Sequence, residues 1–286
     1  MNPADDVASV FRALPGFEVI AFDGPDAATF LQAQLASDVA GLAVGEWQWS
    51  SWLSAQGRVL FVLLLLRSGP AGFLALVAHG RGDELVQRLG RYVLRAKAGI
   101  ARAPLQAVGR VAGALVGGAR VQAGGAATPV GASWDLDLGG ARARRLRLGP
   151  EPGPVAGDAD WELADIDDGV PWIHPAVADR ETPQALGLER LGAYSVHKGC
   201  YPGQEIVART HFLGRSKRSL LRFRARSSGV PAPGDALNAS DGTAAATVVA
   251  AIRLGHEVSG LAVVRDPSRA SMATPDGAPV VLTELP

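Results

Sequence analysis

Apolar and polar residues alternate over 17–22 until Asp23-Gly24-Pro25 breaks the pattern, which predicts a short strand and a turn. From 26 to 35 the period changes. Phe30, Leu31 and Leu35 fall on one face of a helix, and Asp26 is placed to cap its start. Residues 47–53 and 58–67 read as two strands joined by the polar turn Ser54-Ala55-Gln56-Gly57. The second is apolar on both faces, as a strand covered on both sides must be. A strand over 72–78 and an amphipathic helix over 81–95, with Leu85, Leu89 and Val93 as its inward stripe, complete an α+β layout. Between 103 and 130 Gly and Ala dilute the pattern to short strands such as 106–111. Arg142-Ala143-Arg144-Arg145-Leu146-Arg147 alternates as a strand with a positive outer face. The acidic segment 158–168 predicts a helix stopped by Gly169-Val170-Pro171. Beyond 215, turns separate short apolar runs at 220–223, 245–252, 260–264 and 280–282, the spacing of a C-terminal β-barrel or sandwich.

A length of 286 residues predicts two or three modules. Lys plus Arg equals Asp plus Glu, 28 of each, so no global field draws in nucleic acid or anionic lipid, and any such role needs a local patch. The single cysteine excludes an internal disulfide, a zinc ribbon and a complete iron–sulfur site within the chain, and fits a reducing compartment. Residues 1–15 carry Asp5 and Asp6 and lack the pattern of a secretory signal. The apolar run 59–66, flanked by Arg58 and Arg67, is too short to span a bilayer. These features predict a soluble, cytoplasmic protein that does not engage a membrane.

Chemistry concentrates in one stretch, His197-Lys198-Gly199-Cys200-Tyr201-Pro202-Gly203-Gln204-Glu205-Ile206-Val207-Ala208-Arg209. Gly199 offers backbone freedom, and Pro202 presets the first turn of a helix running to Arg209. Cys200 would then sit just before a helix N-terminus, with His197 and Lys198 close by, a setting that favours a nucleophilic or metal-seeking thiolate. The alternative is a tight turn around an inert, buried thiol. Arg209, His211, Arg215, Lys217, Arg218, Arg222, Arg224 and Arg226 follow with no acid among them, a basic stripe whose aromatics are only Phe212 and Phe223. His197, His211 and Cys200 could together supply mixed ligands. With one cysteine, however, any cluster contact is transient or shared between two proteins, so no resident metal is expected. Asp165, Asp167 and Asp168 read as a charged helix face, with cation binding as the alternative.

These stretches resemble the YgfZ group of folate-binding proteins, a branch of the glycine-cleavage T-protein (aminomethyltransferase) superfamily. The resemblance rests on 23–35, Gln56-Gly57-Arg58-Val59, Asp168-Gly169-Val170-Pro171-Trp172-Ile173, 182–188 and, most specifically, the Lys-Gly-Cys-Tyr-x-Gly-Gln-Glu block from Lys198 to Glu205. It implies two intertwined α+β lobes, 1–101 and 102–208, plus an antiparallel barrel over 209–286. These would form a ring-like arrangement around an opening that receives tetrahydrofolate or a derivative. It also implies a role in making or repairing iron–sulfur enzymes, tRNA-thiolating ones included. The partners would be cluster carriers or client enzymes, with tRNA involved indirectly.

By alignment with the family, Phe17 and Trp161 would contact the folate, Phe17 replacing a more usual Trp, unless Trp161 merely anchors its helix. Tyr201, Gln204, Glu205 and Arg209 are further cofactor-contact candidates, though Gln204 could instead cap the turn while Glu205 pairs with Arg209. Lys198, beside Cys200, could tune the thiol or bind the glutamate tail, or lie on the surface; the basic stripe is a solvated or polyglutamate-facing edge. Two departures count against aminomethyl transfer. Phe61 and Val62 stand where transferases carry an acidic pair, and the Tyr-Thr-Gly-Glu-Asp-Gly pterin motif is missing. The competing readings are a one-carbon transferase using another base, such as Glu205, and a tRNA-binding modification factor. The sequence leaves the oligomeric state open.

Overall fold

The computed structural model describes residues 10–112, 120–154, 159–214, 216–266 and 271–286. Residues 1–9, read above for a signal, Asp158 of the acidic segment, and Arg215 of the basic stripe lie outside them. The first elements are β1 (Arg12–Ala13), β2 (Glu18–Asp23), α1 (Ala27–Gln34), β3 (Glu46–Leu53), β4 (Val59–Gly69), β5 (Gly72–Val77), α2 (Gly82–Gly90) and β6 (Gly99–Arg102). Then come β7 (Gln106–Val111), β8 (Gly124–Val130), β9 (Ser133–Gly139), β10 (Arg144–Gly149) and α3 (Ala159–Asp168). A 3-10 turn at Pro175–Val177 and α4 (Gln204–Leu213) lead to β11 (Ser219–Ala225), β12 (Ala236–Ala239), β13 (Ala244–Leu254), β14 (Glu257–Val264), β15 (Met272–Ala273) and β16 (Pro279–Thr283).

Ten strands form one sheet in the order β1-β7-β10-β9-β8-β3-β4-β5-β2-β6, and the rest close into the barrel β11-β14-β13-β12-β15-β16. The lobes are intertwined as the resemblance implied. β1 crosses from the start of the chain to pair with β7, Arg12 opposite Gly109, and β3 joins β8 with Trp47 opposite Gly125.

The run predicted to be apolar on both faces, β4, divides two cores. Val59, Val62, Leu64 and Leu66 enter one shared with lobe two and the barrel; Leu60, Phe61, Leu63 and Leu65 enter another beneath α1 and α2. Each such leucine contributes about 1.5–3 kcal/mol by burial, so β4 holds both halves at once. The barrel alternates in the same way. Phe223, Val248 and Val258 fill its interior, while Val249, Leu261 and Val263 face outward into the lobes' core and seat it there.

Several expectations are corrected. The helix predicted over 81–95 ends at Gly90, with Val93 beyond it. Asp26 precedes α1 without capping it; its Oδ2 accepts from the Lys97 amide at 2.7 Å. β8 escaped prediction because it buries a single side chain, Ala127. The boundary expected after 208 falls inside α4 and belongs between Leu213 and Ser219.

The largest departure concerns charge. Arg144 is fully buried, on the same face of β10 as Leu146 and Leu148; Arg145 and Arg147 take the outer face. Asp165, Asp167 and Asp168 are buried rather than solvated. Arg144 Nη1 donates to Asp165 Oδ1 at 2.5 Å, and its Nη2 lies 2.7 Å from Asp168 Oδ2. Asp167 accepts from Arg222 of β11 at 2.8 Å, which ties lobe two to the barrel. Buried charges persist only when paired, and the pairing cations come from elements remote in sequence. α3 stops where predicted: Gly169, at φ 64, lets Val170 N donate to Asp165 O at 2.7 Å and Gly169 N to Ile166 O at 3.1 Å. Among the described residues no helix is long and apolar enough to cross a membrane.

Candidate functional site: a thiol loop and a cleft

The loop before α4 presents Cys200, which is exposed, while its neighbours hold the loop down. Lys198, only 9% exposed, donates to three carbonyls where α1 ends: Gln32 O at 2.5 Å, Leu35 O at 2.6 Å and Ser37 O at 3.0 Å. A cation is favoured there by the helix dipole. Tyr201 OH donates to Ser195 O at 2.9 Å, and Gln204 Nε2 donates to Lys198 O at 3.2 Å. Burial pulls the Lys198 pKa down to about 8, with Asp38 opposing, so the ammonium stays charged at neutral pH. All three of its donors are spent. Lys198 is therefore a clamp on lobe one, neither a surface lysine nor a group free to bind a glutamate tail.

The glycine that matters is Gly203 rather than Gly199. Gly199 faces open space without a positive φ, whereas Gly203, at φ 78, is the N-cap of α4 and presses on the β3–β4 turn. A Cβ on Gly203 would stand 2.5 Å from Ser54 O, and one on Gly57 would stand 2.8 Å from Ile206 Cβ. Pro202 precedes the cap instead of opening the helix, so Cys200 is farther from the helix N-terminus than expected. Gly203→Ala is expected to cost about 2 kcal/mol of stability, from backbone strain and the Ser54 clash together. A urea midpoint within error of wild type would show that the loop is not pinned there.

A cleft of about 290 Å³ opens where lobe one, α3 and the barrel meet. Phe17 and Trp172 form one wall, edge to face with centroids 5.1 Å apart, and Trp172 in turn packs on Trp49 at 5.3 Å. At the floor, Asp165 Oδ2 accepts from Trp172 Nε1 at 3.1 Å while Oδ1 is held by Arg144. Burial raises the Asp165 pKa to about 6, against the pull of Arg144. The backbone of β13 near residues 249–252 closes the opposite side. His79 and His174 stand at the rim, edge to face at 5.3 Å. Desolvation in the cleft lowers both histidines below their usual value, and Arg81 adds to this, so both are neutral at pH 7. Such a cleft suits a flat heteroaromatic ring whose N–H edge meets a buried carboxylate.

The predicted site is thus divided. Phe17 lines the cleft. Trp161 does not: it is 3% exposed, lies beside Arg144 at 5.2 Å, and fits only because Gly109 has no Cβ, which would stand 2.5 Å from its ring. It anchors α3 in the core. Tyr201, Gln204, Glu205 and Arg209 belong to the thiol loop and α4, none of them lines the cleft, and Glu205 and Arg209 do not pair. Gln204 takes the structural role foreseen as its alternative.

Phe61 and Val62 are both core residues; Phe61 stacks on Trp52 at 5.9 Å beneath Arg81. The basic stripe is neutralised in part by acids distant in sequence. Arg218 meets Glu181 at 2.8 Å, Arg222 meets Asp167 at 2.8 Å, Arg226 meets Glu257 at 3.4 Å, and His211 lies 3.8 Å from Glu189. Nor do His197, His211 and Cys200 gather: among the described residues no three His, Cys, Asp or Glu side chains stand close enough to hold a metal ion. Sequence reasoning missed His79, Trp172 and His174. The spacing of Trp172 and His174, two apart in an extended segment, was the one signal that they share a side.

No protein-family model matches the chain. A tRNA-modifying protein YgfZ from Edwardsiella ictaluri is 31% identical over 258 residues, 81% of this chain and 76% of that relative. The chain belongs to the YgfZ family. Another protein of the same name, from Sodalis glossinidius, is 28% identical over 274 residues, covering 88% of this chain and 83% of its own, and an uncharacterized protein of Haemophilus influenzae is 30% identical over 218. Among solved structures, the glycine cleavage system aminomethyltransferase T of Bartonella henselae superposes with a TM-score of 0.74 over 98% of this chain and 87% of its own. At 14% identity that likeness is one of fold. The YgfZ-family chain therefore has the aminomethyltransferase architecture of lobes and barrel, with a thiol loop and a cleft that can be assigned separate tasks.

Proposed function

We propose that this YgfZ-family protein binds tetrahydrofolate or a derivative in the cleft and acts in the cytoplasm as an accessory factor for assembly or repair of iron–sulfur enzymes, tRNA-thiolating ones included. Cys200 would make the thiol contact to a cluster or a partner. The observation that carries the reading is the meeting of the Phe17–Trp172 wall with the buried Asp165 carboxylate. A pterin is a flat ring with adjacent N–H donors, and these residues fit it. Phe17 and Trp172 would form the wall on which the ring packs, and Asp165 would accept its hydrogen bonds. Bound tetrahydrofolate would supply a reducing ring and nitrogens that carry one-carbon units.

Cys200 is the only thiol, so a cluster there needs ligands from a second protein, which is why carriers or client enzymes are the partners proposed. The link to tRNA named in the relatives would run through those clients, because Arg218, Arg222 and Arg226 are paired with acids and the stripe has few aromatics to stack bases. Phe61 and Val62 offer no proton acceptor, so aminomethyl transfer is not proposed.

Anaerobic calorimetric titration of tetrahydrofolate tests the reading. Wild type and Cys200→Ala should bind alike and Phe17→Ala roughly tenfold more weakly, the worth of one aromatic contact. In cells, Cys200→Ala should lose the support of tRNA thiolation. Absence of binding to wild type would remove the folate half, and full thiolation with Cys200→Ala would remove the thiol half.

A further inference from the structure

The cleft is mostly apolar, and its polar groups are divided between floor and rim. Its acceptor, Asp165, lies at the floor and is 7% exposed, whereas its two imidazoles stand at the rim. At about 290 Å³ it is at the small end for a ligand site, enough for a bicyclic head but not for a long appendage. Whatever trails from the head must therefore leave past His79 and His174.

Each histidine is held for this position. His79 is one of two non-glycine residues with positive φ among those described, at φ 63, and the neighbouring Gly80 amide is tied to Gly16 O at 3.0 Å. Left-handed backbone at a residue with a side chain costs free energy and recurs at ligand sites. His174 Nδ1 accepts from Ala176 N at 3.2 Å, which puts the ring's proton on Nε2, free to donate outward. The charged groups facing the pair are Arg81, from the approach to α2, the exposed Glu162 at the start of α3, and Asp165 deeper on the same helix. The barrel side offers only Pro233 and the apolar 249–252 segment.

We propose that His79 and His174 form a specificity clamp for the anionic tail of the ligand, on the folate reading the glutamyl carboxylates, while Asp165 takes the heterocyclic head. Neutral His174 donates from Nε2 to a carboxylate, whereas the His79 ring already donates to the Trp172 backbone and reaches the tail as a donor once protonated; a bound carboxylate draws a proton onto both. Tail recognition therefore strengthens as pH falls toward and below the ordinary histidine range.

The test compares two probes, tetrahydrofolate and 6-methyltetrahydropterin, which has the head and no anion, titrated anaerobically at pH 7.5 and pH 5.5. The readout is the ratio of their affinities, in which the titration of Asp165 cancels because both probes share the head. In wild type that ratio should rise roughly tenfold at the lower pH, the effect of about one unit of induced pKa change. In His79→Asn/His174→Gln, chosen because Asn tolerates the left-handed backbone, the ratio should fall about tenfold and become flat with pH, with pterin binding unchanged. Intact pterin binding with the same ratio in wild type and variant would overturn the clamp and leave the folate reading standing. If wild type binds neither probe, the clamp falls together with that reading.

Discussion

Replacing Arg144 by methionine should cost about 3–5 kcal/mol of stability at pH 7.5 and distinctly less at pH 5, because the guanidinium is the buried partner of two carboxylates. The sign follows from Asp165. Its folded pKa, about 6, lies above the ordinary 3.8, so the folded state holds the proton more tightly. This group favours folding below pH 3.8, and its contribution is lost as pH rises to about 6. Burial raises Asp168 in the same direction. Arg144 opposes both shifts. Without it the carboxyls move further up, the loss extends to higher pH, and the gap between variant and wild type widens from acid to neutral. Guanidinium midpoints at the two pH values measure it, and a gap that does not change with pH would show that Arg144 acts by packing alone. Adding Asp165→Asn and Asp168→Asn should restore at least half the loss, because the uncompensated charges are then gone.

Lys198→Met should remove about 3 kcal/mol, since three carbonyls at the end of α1 lose one charged donor while the methionine fills the stem's volume. The effect should also be local. Amides over 198–204 should exchange faster and Cys200 should be alkylated faster, with folate affinity unchanged because the clamp does not touch the cleft. A loss under about 1 kcal/mol with unaltered exchange would mean that water replaces the ammonium without penalty.

What could be read from the chain was what its neighbours in sequence decide. The hairpin of β3 and β4 is declared by a polar turn between apolar runs, and the end of α3 by Gly169. Regular turns and short alternating strands left a barrel or a sandwich open, and the family resemblance decided for the barrel. Arg144 was readable in phase, two and four residues before Leu146 and Leu148, but an arginine in step with leucines becomes a buried cation only when Asp165 and Asp168 arrive to pair with it. The partial pairing of the basic stripe was hidden for the same reason, since Glu181, Asp167 and Glu257 come from outside the stretch. The motif block was recognised as chemistry, yet most of its members serve to hold the loop. The cleft was the least legible part, because Phe17, His79, Asp165 and His174 meet only through the packing of lobe one on α3 and the barrel.

The reach of Lys198 across more than 160 residues to Gln32, Leu35 and Ser37 also bears on the order in which the protein is made. On the ribosome α1 emerges early, with its last carbonyls uncapped, and the ammonium that caps them follows only when most of the chain has been synthesised. The loop carrying the sole thiol cannot settle before that. A nascent or half-folded chain would hold its thiol in a loose, unclamped segment. The geometry that the proposed partner would meet then exists only in a folded molecule, and its recognition of the loop would double as inspection of the fold.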